Sequence, residues 1–143
     1  LSLLFLAANL VASFSNKKRV STRLAARNRS DKDILKLESA LQLYEQKVIS
    51  NQEAVEEDLL FHIQIAEAGK NLVLKSLMMI ITPDIVKSFI KLKVCNENDN
   101  DKTIEEHRKI LQSIKNQDED SAVLAMEKHL EDVKNFNTNY KIV

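Results

Sequence analysis

The sequence predicts an all-α protein, an antiparallel bundle of about six or seven helices. Glycine and proline occur once each among the 143 residues, and aromatic side chains make up 5%. A β-sheet protein needs more turn residues and favours aromatic side chains. Leu, Ala, Glu, Lys and Ile recur instead with the period of helices that bury one face. A chain of this length can form one domain with its own core.

The charge and the cysteine content exclude several classes of partner. Lys and Arg together number 21, as do Asp and Glu, so the formal net charge is zero. This balance does not suggest nucleic acid or an anionic membrane as a partner. We therefore expect that these residues do not bind DNA by themselves. The single cysteine, Cys95, cannot form an intrachain disulfide, which fits a reducing, cytoplasmic compartment.

The chain begins with an apolar segment, Leu1 to Phe14. It has no basic region before it and is too short to span a bilayer, so we interpret it as neither a signal peptide nor a membrane anchor. A buried helix, or a segment that docks on a neighbouring domain or subunit, is the better interpretation. We divide the chain into this N-terminal apolar segment, residues 1–20, and one helical domain, residues 21–143.

Two helices are predicted next. A weak helical pattern runs from Arg19 to Arg29. Ser30 and Asp33 then form a capping signal for a helix from about Asp31 to Ile49, because a serine and an acidic residue at this spacing satisfy the first free N–H groups of a helix. The apolar positions of this second helix recur on one face, which should be buried.

The third and fourth helices follow directly. Asn51 is expected to cap the third helix, which runs to about Ala68 and is ended by Gly69, the only glycine of the chain. The segment from Leu72 to Ile81 is apolar on most sides, so we expect a helix that is central to the core.

A further helix and a loop are predicted after that. Thr82 and Pro83 suit the start of a helix that ends near Cys95. The polar residues from Asn96 to Lys102 should form an exposed loop, because their side chains compete with helical hydrogen bonds.

The last two helices begin at clear signals. Thr103 to Glu106 fit a capping box that opens one of them, and the polar residues from Asn116 to Ser121 form a turn and the cap of the other. This final helix should continue to about Phe136. The tail from Asn137 to Val143 is expected to be loosely held.

Two polar residues interrupt the apolar stripe of the third helix. Asp58 and His62 are four residues apart and therefore share one helix face. Val55, Leu59 and Ile65 belong to the same stripe. Both polar side chains should point into the core, where a buried ionisable pair needs partners.

The other two histidines can supply those partners. His107 and His129 lie on the apolar stripes of the last two helices, so the four side chains should face one interior. Three neutral nitrogens and one carboxylate oxygen suit a borderline divalent cation. We expect zinc or nickel, with iron or manganese as alternatives. The competing interpretation is three unrelated core histidines, each hydrogen-bonded locally.

Such a cation would keep coordination positions for another ligand, so the bundle should enclose a central metal and ligand cavity. A site with a single protein carboxylate retains positive charge, which an anionic oxygen ligand would neutralise. We therefore expect a small mono- or dicarboxylate, and a sugar acid fits that class. The residues expected to form the apolar walls are Ile63, Leu77, Leu111 and Met126.

Several short segments in a fixed order carry a family resemblance. They are Asp58-Leu-Leu-Phe-His62, Ile65 to Asn71, Glu106 to Leu111 and Ala125 to Leu130, preceded by Leu24-Ala25-Ala26 and Asp33-Ile34. Together they resemble the FCD domain, the ligand-sensing C-terminal domain of the FadR subfamily of GntR-type transcription regulators, over about residues 20 to 136. In the metal-containing branch of that family the ligands are one Asp and three His. These fall on Asp58, His62, His107 and His129.

The resemblance implies an all-α effector-sensing domain that is not an enzyme. Its effector, a small carboxylate, would shift a homodimer between states that differ in binding operator DNA through a separate winged-helix domain. That domain is not among these residues, so either it lies outside them or the product senses without binding DNA itself. The Arg and Glu of the family's first helix are not reproduced before Leu24. We carry over no ligand-binding Arg and interpret the sequence before about Ser21 as divergent or interrupted.

Two other functions remain open at this stage. A metal-dependent hydrolase or oxygenase on a helical bundle would use the same open positions to activate water or dioxygen. Against it, the sequence leaves no further histidine as a base and has no Glu-x-x-His pair of a di-iron bundle. The third possibility is a helical interaction module with coincidental histidines, which would bind no metal.

Overall fold

The computed structural model describes residues 17–80, 83 and 100–139, and within these ranges the protein is a bundle of six α-helices without a strand. They are α1 (residues 17–28), α2 (Asp31–Ile49), α3 (Val55–Ala68), α4 (residues 72–80), α5 (Asn100–Lys115) and α6 (Glu119–Asn139). The predicted all-α class is confirmed. Among the described residues, no helix is both long enough and apolar enough to cross a membrane.

Ion pairs between α2 and α5 show that these two helices run antiparallel. Glu38 of α2 contacts Lys115 of α5 at 2.8 Å, and Glu45, two turns further along α2, contacts Arg108 at 2.8 Å. The partner's number falls as the residue number in α2 rises. Tight turns join α2 to α3 and α5 to α6, so an antiparallel bundle results, as predicted.

One apolar cluster forms the core of the bundle. Its members in α2, α3 and α6 recur at three- and four-residue spacings, the pattern that places them on one face. The larger buried side chains of this cluster are Leu37, Tyr44, Phe61, Ile65, Ile110, Ile114 and Met126.

The start of α2 matches its sequence signal. The Ser30 hydroxyl accepts a hydrogen bond from the Asp33 N–H at 3.2 Å, and the Asp33 carboxylate accepts one from the Ser30 N–H at 2.8 Å. Both halves of a capping box are therefore present. The carboxylate of Asp33 also pairs with Lys70 just after α3, at 2.6 Å, which ties the beginning of α2 to the end of α3.

The predicted cap of α3 is wrong. Asn51 has a left-handed backbone, with φ 52°, and its N–H donates to the Val48 carbonyl at 3.0 Å. It therefore ends α2 instead of beginning α3. Helix α3 starts at Val55, after Ala54, which makes no side-chain capping hydrogen bond. Asparagine suits both an N-cap and a left-handed helix end, and its position in sequence does not separate the two.

Gly69 follows the end of α3, as predicted, but for a different reason. Its φ is −73°, and the left-handed residue after the helix is Lys70, with φ 59°. A Cβ on Gly69 would lie 2.9 Å from the Ser21 carbonyl oxygen and 3.2 Å from the Ala25 nitrogen of α1. Glycine is needed here because the backbone of α1 passes where a side chain would be.

The prediction that the fourth helix is central to the core is wrong. In α4, Leu74 and Met78 are buried against Ala66 of α3 in a second, smaller cluster. On the other faces, Val73 is 80% exposed and Ile80 is 74% exposed. The sequence is apolar on most sides, but packing on α3 covers one stripe of the described part of this helix.

The predicted capping box in the second half of the chain is also wrong. Helix α5 spans Asn100–Lys115, so Thr103 to Glu106 lie inside it, and residues 100–102 are helical instead of part of an exposed loop. Asp101 occupies the first turn, where the helix dipole favours a negative charge. The carboxylate of Glu106 is turned inward and contacts His129.

Helix α6 begins in the predicted turn. The Asp118 carboxylate accepts a hydrogen bond from the Ser121 N–H at 3.0 Å, which caps the helix. The helix continues to Asn139, beyond the predicted end at Phe136. The first residues of the tail that was expected to be loosely held are therefore helical.

Several predicted features lie outside the described residues. They are the apolar segment Leu1 to Phe14, the helix expected to end near Cys95 apart from Pro83, residues 96–99 of the polar loop, and residues 140–143 of the tail.

Candidate metal centre

Three helices bring the four predicted ligands to one place. Helix α3 supplies Asp58 and His62, α5 supplies His107, and α6 supplies His129. One ligand atom from each side chain lies within 4.8 Å of all the others. The histidines are 2%, 0% and 8% exposed in that order, and the Asp58 side chain is 24% exposed. The four residues converge, while metal binding by them stays a prediction.

Three separations between these atoms can be compared with those of ligands that share one cation. Asp58 Oδ1 lies 3.0 Å from His107 Nε2 and 3.8 Å from His62 Nε2. The Nε2 atoms of His62 and His129 are 3.2 Å apart. Two ligands at about 2.1 Å from a metal are about 3.0 Å apart at a right angle and about 3.4 Å apart in a tetrahedron. The separations of 3.0 and 3.2 Å lie in this range, and the separation of 3.8 Å corresponds to a wider angle.

Ring nitrogens at the centre lack hydrogen-bond partners. Within the part of the chain that the structure describes, Nδ1 of His62 and both nitrogens of His107 are buried and unpaired. His107 Nε2 lies 3.0 Å from Asp58 Oδ1, a contact without the geometry of a regular hydrogen bond. Leaving a buried polar atom unpaired costs about 1–3 kcal/mol. A cation would engage the Nε2 atom of His107, so this orphaned atom fits a metal site.

Aromatic rings hold the imidazole of His107 in place. Its ring centroid lies 4.8 Å from that of Tyr44, with the planes at 80°, and 4.9 Å from that of Phe61. Phe61 also contacts His62 edge-on, at 5.8 Å. These contacts fix the ring direction without using a nitrogen, so the nitrogens stay available for a ligand.

The electrostatics of the centre produce the metal-binding protonation states. Burial lowers the pKa of His62 and of His107, against the opposing pull of the Asp58 carboxylate. Burial acts to raise the pKa of Asp58, but the adjacent imidazoles outweigh it and hold that pKa well below its usual range. The result at neutral pH is two neutral imidazoles beside an ionised carboxylate, which are the forms that bind metal.

Sequence reasoning missed a carboxylate in this centre. Glu106 is 6% exposed, and its Oε2 lies 3.1 Å from Nδ1 of His129. Its spacing from Thr103 suggested a capping box, although its position directly before His107 was an available signal. Two neighbouring helix positions differ by about 100° in direction, so one can face the core while the other faces the next helix.

Lys18 of α1 was also missed. It is half-buried and precedes Ser21, Thr22 and Ala25, which are buried at helical spacing. Its charge acts on both Asp58 and His62, so its ammonium lies on the side of α1 that faces the centre. The sequence placed it in a short basic cluster, and the helical spacing to Ser21 and Ala25 was the available signal.

The four predicted wall residues divide between two apolar clusters. Leu111 and Met126 belong to the main core, whereas Ile63 and Leu77 pack in the smaller cluster beside α4. Their role as walls of a ligand cavity stays a prediction.

A family model and a solved structure match this chain. The family model described as the FCD domain matches residues 19–132. The structure is similar to that of Streptococcus agalactiae GntR, with a TM-score of 0.78 and 22% sequence identity. The match covers 92% of this chain and 59% of that one, so the chain spans less than two thirds of that regulator's length. At this identity the likeness shows the fold. No curated protein matches the chain.

Proposed function

We propose that this chain, which belongs to the FCD domain family, senses a small carboxylate through a bound metal. FCD domains are the effector-sensing regulatory domains of GntR-type transcription regulators and are not enzymes. The ligands are Asp58, His62, His107 and His129. The observation that carries the proposal is the convergence of these four side chains from three helices. Their mixed nitrogen and oxygen donors favour zinc or nickel, with iron or manganese as alternatives.

The charge around the centre supports an anionic effector. A divalent cation beside the single carboxylate of Asp58 leaves net positive charge, and Lys18 adds to it. Burial lowers the pKa of Lys18, and the Asp58 carboxylate acts in the opposite direction. A mono- or dicarboxylate would be attracted by both the metal and the ammonium, in a place where an unpaired charge is costly. Sugar acids belong to the same chemical class.

Regulation would follow from the rest of the protein. The effector would change the DNA affinity of a homodimer through a winged-helix domain that is not among these residues. The domain itself has a balanced charge, which does not favour contact with nucleic acid. In a cytoplasmic regulator it would serve as the sensor and leave DNA recognition to the other domain.

Calorimetry on the purified protein tests this proposal. Metal analysis first identifies the bound ion, and a panel of short mono-, di- and hydroxycarboxylates is then titrated into the metal-loaded and the chelated protein. We expect tighter binding in the metal-loaded form, because the metal is the main anchor. Equal affinities in both forms, or binding of long acyl chains alone, would contradict metal-anchored sensing. A protein that takes up no metal would favour the interaction module.

A matched pair of variants separates the two anchors. Lys18→Met should weaken carboxylate binding about tenfold or more, the loss of one charge-assisted contact, while the affinity for metal does not fall. Lys17→Met removes the same charge from the neighbouring exposed position and should change neither affinity. Equal effects of the two substitutions would mean that overall charge attracts the anion and that Lys18 has no specific role.

A further inference from the structure

Glu106 is a buried carboxylate beside the metal centre but not among its four ligands. Its Oε2 lies 3.1 Å from Nδ1 of His129. Its Oε1 has no hydrogen-bond partner in the described part of the chain and faces the ammonium of Lys102 at 3.9 Å. A carboxylate with 6% exposure is costly unless it is paired, so its contact with His129 requires an explanation.

The contact determines which nitrogen of His129 carries the proton. A carboxylate accepts hydrogen bonds and does not donate them, so Nδ1 of His129 must be the protonated nitrogen. In the neutral ring Nε2 then keeps its lone pair, and this is the atom that lies 3.2 Å from Nε2 of His62 at the centre. By contrast, Nδ1 of His62 and Nδ1 of His107 have no partner among the described residues. His129 is thus the histidine whose tautomer the protein selects.

We propose that Glu106 is a positioning residue for the metal centre. It holds His129 as the Nδ1–H tautomer and makes Nε2 a stronger electron-pair donor to the metal. The proposal rests on the proposed metal binding for its consequence, whereas the tautomer itself is a property of the metal-free protein. Because Glu106 and His107 are consecutive, α5 contributes one ligand and also orients the ligand of α6. Metal binding would therefore join these two helices through both residues.

The test compares Glu106→Gln with Glu105→Gln. Glutamine keeps the shape of Glu106, but it can either accept from or donate to Nδ1, so both tautomers of His129 become possible. Glu105 is an exposed neighbour with a 3.8 Å surface contact to Lys109, so its substitution controls for the lost charge. Zinc affinity, measured by competition with a coloured chelator, should fall about 10–100-fold in Glu106→Gln and stay unchanged in Glu105→Gln.

Nitrogen-15 NMR of His129 supplies a second readout, in the metal-free protein. We expect the Nδ1–H tautomer in the natural sequence and a mixture of tautomers in Glu106→Gln. A dominant Nε2–H tautomer in the natural sequence would overturn the proposal even if the variant failed to fold. So would a variant that is less stable but binds zinc with unchanged affinity, since Glu106 would then be structural alone. A protein that binds no zinc would refute the proposed function, yet the tautomer would still be decided.

Discussion

Charged and ionisable side chains gather at two places in this bundle, and they are satisfied to very different degrees. Along the outer contact of α1 with α6, three arginines spaced by four residues each reach an acidic side chain at 2.8–3.0 Å. The pairs are Arg19–Glu127, Arg23–Asp120 and Arg27–Glu119. We call this set the arginine ladder. Its side chains are partly or largely exposed to solvent.

The metal centre is the opposite case. Its histidines are buried, and ring nitrogens of His62 and His107 have no partner in the described part of the chain. The charges of the arginine ladder are paired with each other and require no bound ligand. These pairs contribute little to the free energy of unfolding because water competes for them. A buried set of donors with too few partners is unfavourable by itself and becomes favourable when a ligand binds. This difference is the reason that the proposed function is assigned to the centre and not to the ladder.

The largest expected effect is on the packing beneath the centre. Phe61 is fully buried and contacts the rings of both His62 and His107. Phe61→Ala should lower the free energy of unfolding by about 3–5 kcal/mol, because it leaves a cavity in the core. Urea unfolding measures this. A loss below about 1 kcal/mol, the range of a surface pair, would remove the energetic contrast between the two regions.

The second effect is stabilisation by metal. Zinc at about 100–1,000 times its dissociation constant should raise the free energy of unfolding by about 3–4 kcal/mol, because the ion binds the folded state. His107→Ala should abolish this increment. Arg23→Gln, in the ladder, should keep all of it. Thermal or urea unfolding with and without zinc measures both, and an increment that survives in His107→Ala would contradict the assignment of this ligand.

The third effect is the response of the metal-free protein to acid. Burial places the pKa of His62 and of His107 below the ordinary value of 6.5, so below that pH the unfolded chain binds protons that the folded protein does not. Stability is therefore complete above pH 6.5 and falls as the pH drops, by up to about 1.4 kcal/mol per pH unit for each histidine. Urea unfolding from about pH 7.5 to about pH 5.5 should show this slope.

The arginine ladder supplies the contrast in the same experiment. Hydrogen bonding to Arg27 lowers the pKa of Glu119 from 4.5, so this carboxylate of the ladder does not titrate in the histidine window. His107→Leu should reduce the slope, whereas Arg23→Gln should leave it unchanged. A flat profile in the natural sequence would show that the buried imidazoles are not neutral in the folded state.

The smallest effect is expected in the ladder itself. Arg23→Gln removes contacts with Glu119 at 3.5 Å and with Asp120 at 3.0 Å. We expect a loss below about 1 kcal/mol, which shrinks further at about 1 M salt because the charges are screened. Urea unfolding at low and high salt is the measurement. A large loss that does not depend on salt would mean that the ladder is part of the core energetics.

The parts of this structure that follow from helical periodicity were predictable. The stripe of α3 placed Asp58 with His62, and the stripes of α5 and α6 placed His107 and His129, so convergence required only that the helices pack on one core. The cap of α2 was equally clear, since Ser30 and Asp33 satisfy each other locally. Each of these features depends on residues within a few positions of one another, or on a face that must be buried.

The predictions that were wrong concern residues that can take either of two structural roles. Asn51 suits either end of a helix, and Glu106 suits either a capping box or a buried contact. What decides between these uses is the neighbouring helix, which is distant in sequence. The exposure of α4 has the same origin, because the sequence of Val73 and Ile80 does not tell how much of a helix its neighbours cover. The position of Lys18 beside the centre depends on the packing of α1 against α3, which the sequence alone does not show.

The single glycine of the chain sets how α1 and α3 can move relative to each other. The α1 backbone atoms of Ser21 and Ala25 lie 2.9 and 3.2 Å from the position that a Cβ on Gly69 would take. The gap between the two helices is therefore too small for a methyl group. The two helices are closely packed at this crossing, and we expect them to move as one rigid unit. A displacement of α3, the helix that carries Asp58 and His62, would therefore move α1 in the same direction.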